Sequence, residues 1–419
     1  MIARIKKLLY FPIAYYFRFW AGIQLSFWNP KIVVITGSSG KTTLLHLIES
    51  QLGSIAKYSH HANSSYGIPF DILGLMRKNL TFNEWFFLFL LAPFKAFKKI
   101  PKEKIYVVEA DCDRPREGKF LASLLRPEIT LWISSSLTHS INFDSLVKSK
   151  KFATVETAIT FEFGYFLEYT RKLAIVNGDS LLIRKELQRT KVNVRQVTQK
   201  NLKDYKVYKD RTEFMIDGIK YSINYIVPKN ICYSIQMANL LLKNLEVFFD
   251  PKFSNFILPP GRNSVFKGIK NTTIIDSTYN ATPDGVKSIL ELFDIYPAKE
   301  KWLVLGDIIE LGNEEGPEHE KIAEIINRMK LSQIILIGPR VSKYTYPKLA
   351  QKTIVKRFLN PKEGLNYILA NVRGSETLLF KGARFLEGII EKILLDKDDI
   401  KKLVRRELAW QNRRKVFGL

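Results

Sequence analysis

The run Thr36-Gly37-Ser38-Ser39-Gly40-Lys41-Thr42-Thr43 holds the glycines, the lysine and the hydroxyls needed to surround a polyphosphate. Gly37 and Gly40 let backbone N–H groups approach phosphate oxygens, Lys41 can reach the β and γ phosphates, and the Thr42 hydroxyl suits Mg²⁺. Ser38, Ser39 and Thr43 complete the lining. The chemistry served is use of ATP, with Mg²⁺ as its companion ion. A β-branched run at residues 32–35 precedes the loop and a helix-forming stretch follows it, which is the strand, turn and helix order that a phosphate loop requires. The first glycine of the longer Walker pattern falls on Ile35, so this is the shorter form of the loop.

Further short β-branched runs lie at residues 105–108, 129–133 and 173–176, then at 273–275, 302–305, 334–337 and 377–380. Helical stretches alternate with them. The pattern predicts an α/β protein: a P-loop ATPase domain with a mostly parallel sheet, followed by a smaller Rossmann-like α/β domain. A chain of 419 residues exceeds what one core usually organises. The expected divisions are residues 1–30, an aromatic and basic N-terminal segment; 31–258, the ATP-binding domain; 259–396, the second domain; and 397–419, a basic tail. Pro259-Pro260-Gly261 marks the hinge. No internal repeat or low-complexity tract is visible.

Two cysteines, Cys112 and Cys232, are too few for a disulfide framework or a four-thiolate zinc site, and they predict a reducing compartment, the cytoplasm. Lysine and arginine outnumber the acids by 65 to 41, a net charge of +24. Such an excess attracts polyanions, although lysine scattered over solvated faces gives the same total. No aromatic-interleaved nucleic-acid motif accompanies it, so nucleic acid is not an expected partner. The first thirty residues combine Arg4, Lys6 and Lys7 with Leu8, Ile13, Tyr16, Phe17 and Trp20, which reads as an interfacial helix. Pro12, Arg18 and Gln24 interrupt a span across a bilayer, which needs ~20 apolar residues. Residues 85–91 are a second apolar cluster, open to reading as a buried helix or as a membrane-touching one. Ile400, Leu403, Val404 and Leu408 lie at helical spacing beside Lys401, Lys402, Arg405 and Arg406. An anionic membrane surface is therefore an expected partner, with the protein peripheral at its inner face.

The loop resembles that of the Mur ligase and folylpolyglutamate synthetase superfamily, and later stretches carry the likeness onward in order. Asn63-Ser64-Ser65-Tyr66-Gly67-Ile68-Pro69 resembles the family's Asn-rich turn, and Val107-Val108-Glu109-Ala110 its strand ending in a metal-binding glutamate. Ile275-Asp276-Ser277-Thr278-Tyr279-Asn280-Ala281-Thr282-Pro283, Leu305-Gly306-Asp307 with His319 beyond it, and Lys381-Gly382-Ala383-Arg384 resemble segments of the branch that adds D-alanyl-D-alanine to a muramoyl tripeptide. The resemblance covers residues 31–394. It implies an ATP-dependent ligase that activates a carboxylate as an acyl phosphate and joins it to an amine. The implied partners are a cell-wall peptide precursor as acceptor and an amino acid or dipeptide as amine. The family's N-terminal domain for a uridine nucleotide has no counterpart in the sequence.

The resemblance assigns roles residue by residue. Glu109 and His139 join Thr42 as magnesium ligands; read alone, they are a strand-end acid and a loop histidine. Arg262 lies where the family has an arginine near the nucleotide phosphates, and Asp276 where it holds the ribose, although the family's second aspartate is Ser277 here. Asn63, Asn280, His319, Lys381 and Arg384 are the implied substrate residues. The family's carbamoylated lysine falls on Glu162 when counted back from Asn177, and near Lys150 and Lys151 when counted forward from His139. A glutamate there supplies a permanent carboxylate. Competing expectations are a related ligase with a lipid-linked or other acceptor, a non-catalytic nucleotide-binding scaffold, and a nucleic-acid-stimulated ATPase resting on charge alone.

Overall fold

The computed structural model describes residues 2–60, 62–77, 82–98, 100–350, 353–383 and 385–419. They form two compact units. The first comprises residues 1–136, 145–198 and 233–250. Its elements are α1 (Ile2–Trp28), β1 (Lys31–Gly37), α2 (Lys41–Leu52), β2 (Ala56–Tyr58), α3 (Gly67–Leu73), α4 (Phe82–Phe97), β3 (Ile105–Ala110), α5 (Glu117–Leu125), β4 (Ile129–Ser134), most of α6 (Asp144–Lys148), α7 (Val155–Glu168), β5 (Leu173–Asn177), α8 (Leu181–Glu186), β6 (Asn193–Val197) and α9 (Ile231–Asn244). The strands form one sheet in the order β2-β3-β1-β4-β5-β6, and every pairing is parallel. Parallel strands are covered on both faces, which is why β1 is a continuous apolar run with residues 32–37 all buried. Successive strands go to opposite sides of β1, so the carboxyl ends of β1, β3 and β4 border the crevice where such sheets bind ligands.

The second unit comprises residues 137–144, 199–232 and 251–419. β7 (Leu202–Val207), β8 (Thr212–Ile216) and β9 (Ile219–Ile223) make a small antiparallel sheet. Then come β10 (Ser264–Lys267), β11 (Thr273–Ser277), α10 (Pro283–Ile295), β12 (Lys301–Gly306), α11 (Glu315–Arg328), β13 (Gln333–Ile337), β14 (Ile354–Phe358), α12 (Pro361–Asn371), β15 (Thr377–Lys381), α13 (Leu386–Ile393) and α14 (Leu408–Val416). The sheet order is β10-β11-β15-β12-β13-β14, with only β10 antiparallel. The last strand therefore slots between β11 and β12. Its register sets Lys381 beside Ser277 on one side and Leu305 on the other. A core of Ile274, Val304, Ile335, Leu378, Phe380 and Ile389 holds these strands to their helices.

The N-terminal segment is the expected helix. It packs on α3 and α4 of the first unit: Phe17 is fully buried against Phe70 and Phe89, and the Trp28 indole donates to Glu103 O at 2.7 Å. Among the described residues no helix is long and apolar enough to cross a membrane. The C-terminus departs from expectation. Residues 397–402 form a 3-10 turn, Leu403 and Val404 are buried, and Arg405 takes a left-handed φ of 57°. That residue breaks the helical path, so α14 begins only at Leu408. Arg405 and Arg414 of the tail face inward and both pair with Glu387, itself 1% exposed. Arg406 pairs with Glu391 at 2.7 Å.

Candidate functional site

In the first unit the site starts where β1 runs out. Gly37 has φ 132°, and a Cβ there would lie 2.6 Å from Ser134 O, so only glycine lets the loop pass β4 this closely. Serines then pin the loop. Ser39 N–H donates to Ser134 Oγ at 2.8 Å, and the Ser38 and Ser136 hydroxyls lie 2.8 Å apart. Gly40, with φ 83°, leads into α2, whose first residue is Lys41. The Lys41 ammonium is buried, donates to Gly37 O, and sits 2.7 Å from an Asp111 carboxylate oxygen. Burial alone would lower its pKa, but Asp111 and Glu109 turn the shift upward and keep it charged. Thr42 Oγ1 lies 2.8 and 3.1 Å from the two oxygens of Glu109. A hydroxyl and a carboxylate together at the foot of a phosphate loop form an all-oxygen donor set, which fits Mg²⁺.

Asn63 belongs to a turn stitched to the end of β3: its carbonyl accepts Asp111 N–H at 2.8 Å. The same turn hangs on Glu117, which accepts from Ser65 N–H at 2.9 Å and from Ser65 Oγ at 2.5 Å. Tyr10 of α1 donates to that carboxylate as well. Glu162, on α7, accepts from Arg116 N–H at 2.7 Å and Gly118 N–H at 3.0 Å. Its carboxylate thus caps the start of α5. Burial pushes the Glu162 carboxyl up, and the two N–H donors hold it back. It borders a cavity of about 280 Å³ also lined by Arg116, Lys119, Lys151 and Phe161.

The second unit gathers its predicted residues at the carboxyl ends of β11, β12 and β15. Asp276 is fully buried; one oxygen accepts Thr278 N–H at 2.9 Å and Oγ1 at 2.6 Å. The other has no hydrogen-bond partner. Burial drives its pKa upward. Lys381 Nζ donates to Asn280 O at 2.7 Å and to Ser277 Oγ at 3.2 Å. Burial, reinforced by the Arg262 charge, pulls that ammonium down to about 7. Arg262 stacks 3.8 Å over the Tyr279 ring. Asn280 is exposed and opens the turn into α10, where Thr282 caps the helix and Pro283 starts it.

His319 is placed otherwise than a substrate-facing group would be. It is fully buried, Nε2 accepts Ile308 N–H at 3.2 Å, and Nδ1 donates to Glu315 O at 2.7 Å. Burial lowers its pKa, so the neutral ring holds the loop after β12. His139 lies in this unit too, with Nδ1 2.6 Å from Glu310, while Thr42 and Glu109 belong to the first unit. Arg384 lies outside the described residues. Sequence reasoning missed Asp111, the Ser134 and Ser136 clamps, and Glu117. An acid two residues beyond Glu109 at a strand end was the available signal for Asp111.

Comparison with known proteins agrees with this layout. The family model described as "Mur ligase, glutamate ligase domain" matches residues 261–384. A UDP-N-acetylmuramoyl-tripeptide–D-alanyl-D-alanine ligase of Rickettsia prowazekii is 30% identical over 149 residues, 35% of this chain and 32% of that protein. One of the same name from Buchnera aphidicola is 24% identical over 401 residues, 87% of this chain and 76% of that protein. The match thus spans about a third of the first relative and about three quarters of the second. The crystal structure of a MurF ligase from Thermotoga maritima in complex with ADP superposes with a TM-score of 0.72 at 21% identity, covering 93% of this chain and 84% of that one. Residues 261–384 thus match the Mur ligase, glutamate ligase domain, D-alanyl-D-alanine-adding ligases are similar along most of the chain, and the fold is shared with a MurF ligase.

Proposed function

We propose that the chain is an ATP-dependent amide-bond ligase of the D-alanyl-D-alanine-adding type, acting on a cell-wall peptide precursor. The observation that carries this reading is the pairing of Thr42 with Glu109 beside the Lys41–Asp111 pair, at the mouth of a glycine loop. Residues 31–258 serve as the ATP-binding half and 259–396 as the half that receives the amine, with 1–30 and 397–419 as appendages.

The acceptor carboxylate attacks the γ-phosphorus of ATP, ADP departs, and an acyl phosphate forms. The amine then attacks the acyl carbon and expels phosphate, giving the amide. Lys41 stabilises the charge on the transferring phosphoryl oxygens, and the loop amides position the chain of phosphates. Thr42 and Glu109 would hold Mg²⁺, which would supply charge neutralisation between oxyanions that otherwise repel; the resemblance adds His139 as a ligand. Asp276, through its unpaired oxygen, is suited to a ribose hydroxyl, and Arg262 to a phosphate. Lys381 is suited to the carboxylate of the incoming dipeptide, which would restore its charge; Asn280 completes the amine's surroundings, and Asn63 the acceptor's. We place the reaction on the cytoplasmic side, where ATP is available.

The test is phosphate release from ATP with UDP-muramoyl tripeptide and D-Ala-D-Ala. Release that requires both substrates supports the reading. Release with a lipid-linked or unrelated carboxylate alone moves the chain to a related ligase, and ATP binding without turnover under all conditions makes it a scaffold.

A further inference from the structure

Helix α4 is apolar on two sides. It turns Leu88, Ala92 and Ala96 to the protein, with Trp85 and Phe89 half-buried against Phe17, and presents Phe86, Phe87, Leu90, Leu91, Phe94 and Phe97 to solvent. An amphipathic helix in a soluble fold buries the stripe that α4 exposes. Phe87 is 60% exposed and Phe94 70%. The stripe continues onto α1: Phe97 packs 5.9 Å from Phe27 and 6.3 Å from Trp20, and Trp20 packs 5.0 Å from Phe19. Phe19 and Phe27 are themselves more than half exposed. The single charged side chain of α1 beyond residue 8, Arg18, is turned inward and donates to Phe120 O at 2.7 Å. Both helices are fixed to the first unit, α1 through Phe17 against Phe70 of α3, and α4 through Phe89 against Phe17 and Tyr16 of α1. The patch is thus a held surface, larger than the scattered apolar residues of an ordinary exterior.

We infer that the α1–α4 face is a docking platform that lies in the headgroup region of an anionic membrane, without crossing it. Charge complementarity selects this occupant. Apart from the inward Arg18, residues 1–28 carry three basic and no acidic side chains, and residues 77–104 seven basic and two acidic. Exposed Lys98 and Lys102 flank the end of the apolar stripe. A protein-binding patch of this kind is depleted in lysine, whereas aromatic rings bordered by lysine match the two signals that together hold a protein at an anionic interface. No helix among the described residues is long and apolar enough to span. The inference stands apart from the ligase reading, since it rests on α1 and α4 and on no residue of the site.

The experiment is co-sedimentation of the full chain with vesicles of phosphatidylcholine mixed with phosphatidylglycerol, and with phosphatidylcholine alone. Wild type should bind the anionic vesicles, and raising salt from about 0.1 to about 0.5 M should weaken binding roughly tenfold. Phe87→Ser/Leu90→Ser/Phe94→Ser replaces exposed side chains, so folding should persist, and it should lower partitioning on the order of 100-fold. A Lys95→Glu/Lys98→Glu variant, which leaves the rings in place, should lose the preference for anionic over neutral vesicles. Absence of wild-type binding to either vesicle, or triple-variant binding equal to wild type, overturns the inference. So does a wild-type dimer by light scattering that the triple variant abolishes without any vesicle binding, because the face would then belong to a second copy.

Discussion

Held between Gly37 O and a buried Asp111, Lys41 has a structural partner as well as a phosphate to meet. Lys41→Ala should cut ATP turnover on the order of 1000-fold. It should also cost about 3 kcal/mol of stability, because Asp111 is left charged and buried without its partner. The double variant Lys41→Ala/Asp111→Ala should recover most of the stability and none of the turnover, which chemical denaturation and phosphate release would separate. Lys381 offers a second readout. With a native pKa near 7 and an ordinary unfolded value, the native state lacks a proton that the unfolded state holds across the interval between them. Wild type should therefore gain stability relative to Lys381→Met as pH rises from about 7 to about 10, the range set by native and free lysine. Competitive acetylation should likewise show Lys381 reactivity levelling off just above pH 7. A curve still rising to pH 10 would mean an ordinary exposed lysine.

At the level of elements, Glu162 on α7 secures α5 by accepting the Arg116 and Gly118 N–H groups. Glu162→Ala should cost about 2 kcal/mol through those two orphaned amides. The role proposed from the family, a carboxylate in place of a carbamoylated lysine, adds a distinct expectation: a raised magnesium requirement and activity indifferent to bicarbonate. Stability loss with an unchanged magnesium curve would leave Glu162 as a cap alone. The strands that were legible in the sequence are those buried on both faces, such as β1, β4 and β13, because β-branched runs there are uninterrupted. Strands β6 and β14 were not, since most of their residues face solvent and charged side chains interrupt the pattern. Strands β7 and β9 were missed for the same reason. In the site, contiguous residues were readable, as with the loop from Gly37 to Thr42. Partners distant in the chain were not: Ser134 at the loop, Asp111 on Lys41, and Arg405 on Glu387 are products of packing.

Across the whole molecule, the net charge of +24 is spent in two ways. Part of it is internal, as where Arg405, Arg406 and Arg414 neutralise Glu387 and Glu391 and fasten the tail to the second unit. That internal pairing is why a basic C-terminal run predicted a helix for a membrane and instead forms a strap over α13. Another part is outward, as on the exposed Lys98 and Lys102 beside α4.

The insertion of β15 between β11 and β12 also has a consequence for how the chain is made. A protein leaves the ribosome from its N-terminus, so β11, β12, β13 and β14 emerge before the strand that joins the first two of them. Until residues 377–381 follow, β11 and β12 each present an unpaired edge of the kind that invites pairing with other chains. Lys381 is the final residue of that strand. The second unit's carboxyl-end site therefore comes into being in the same step that closes its sheet, and a chain interrupted before Thr377 would carry an open sheet and no lysine site.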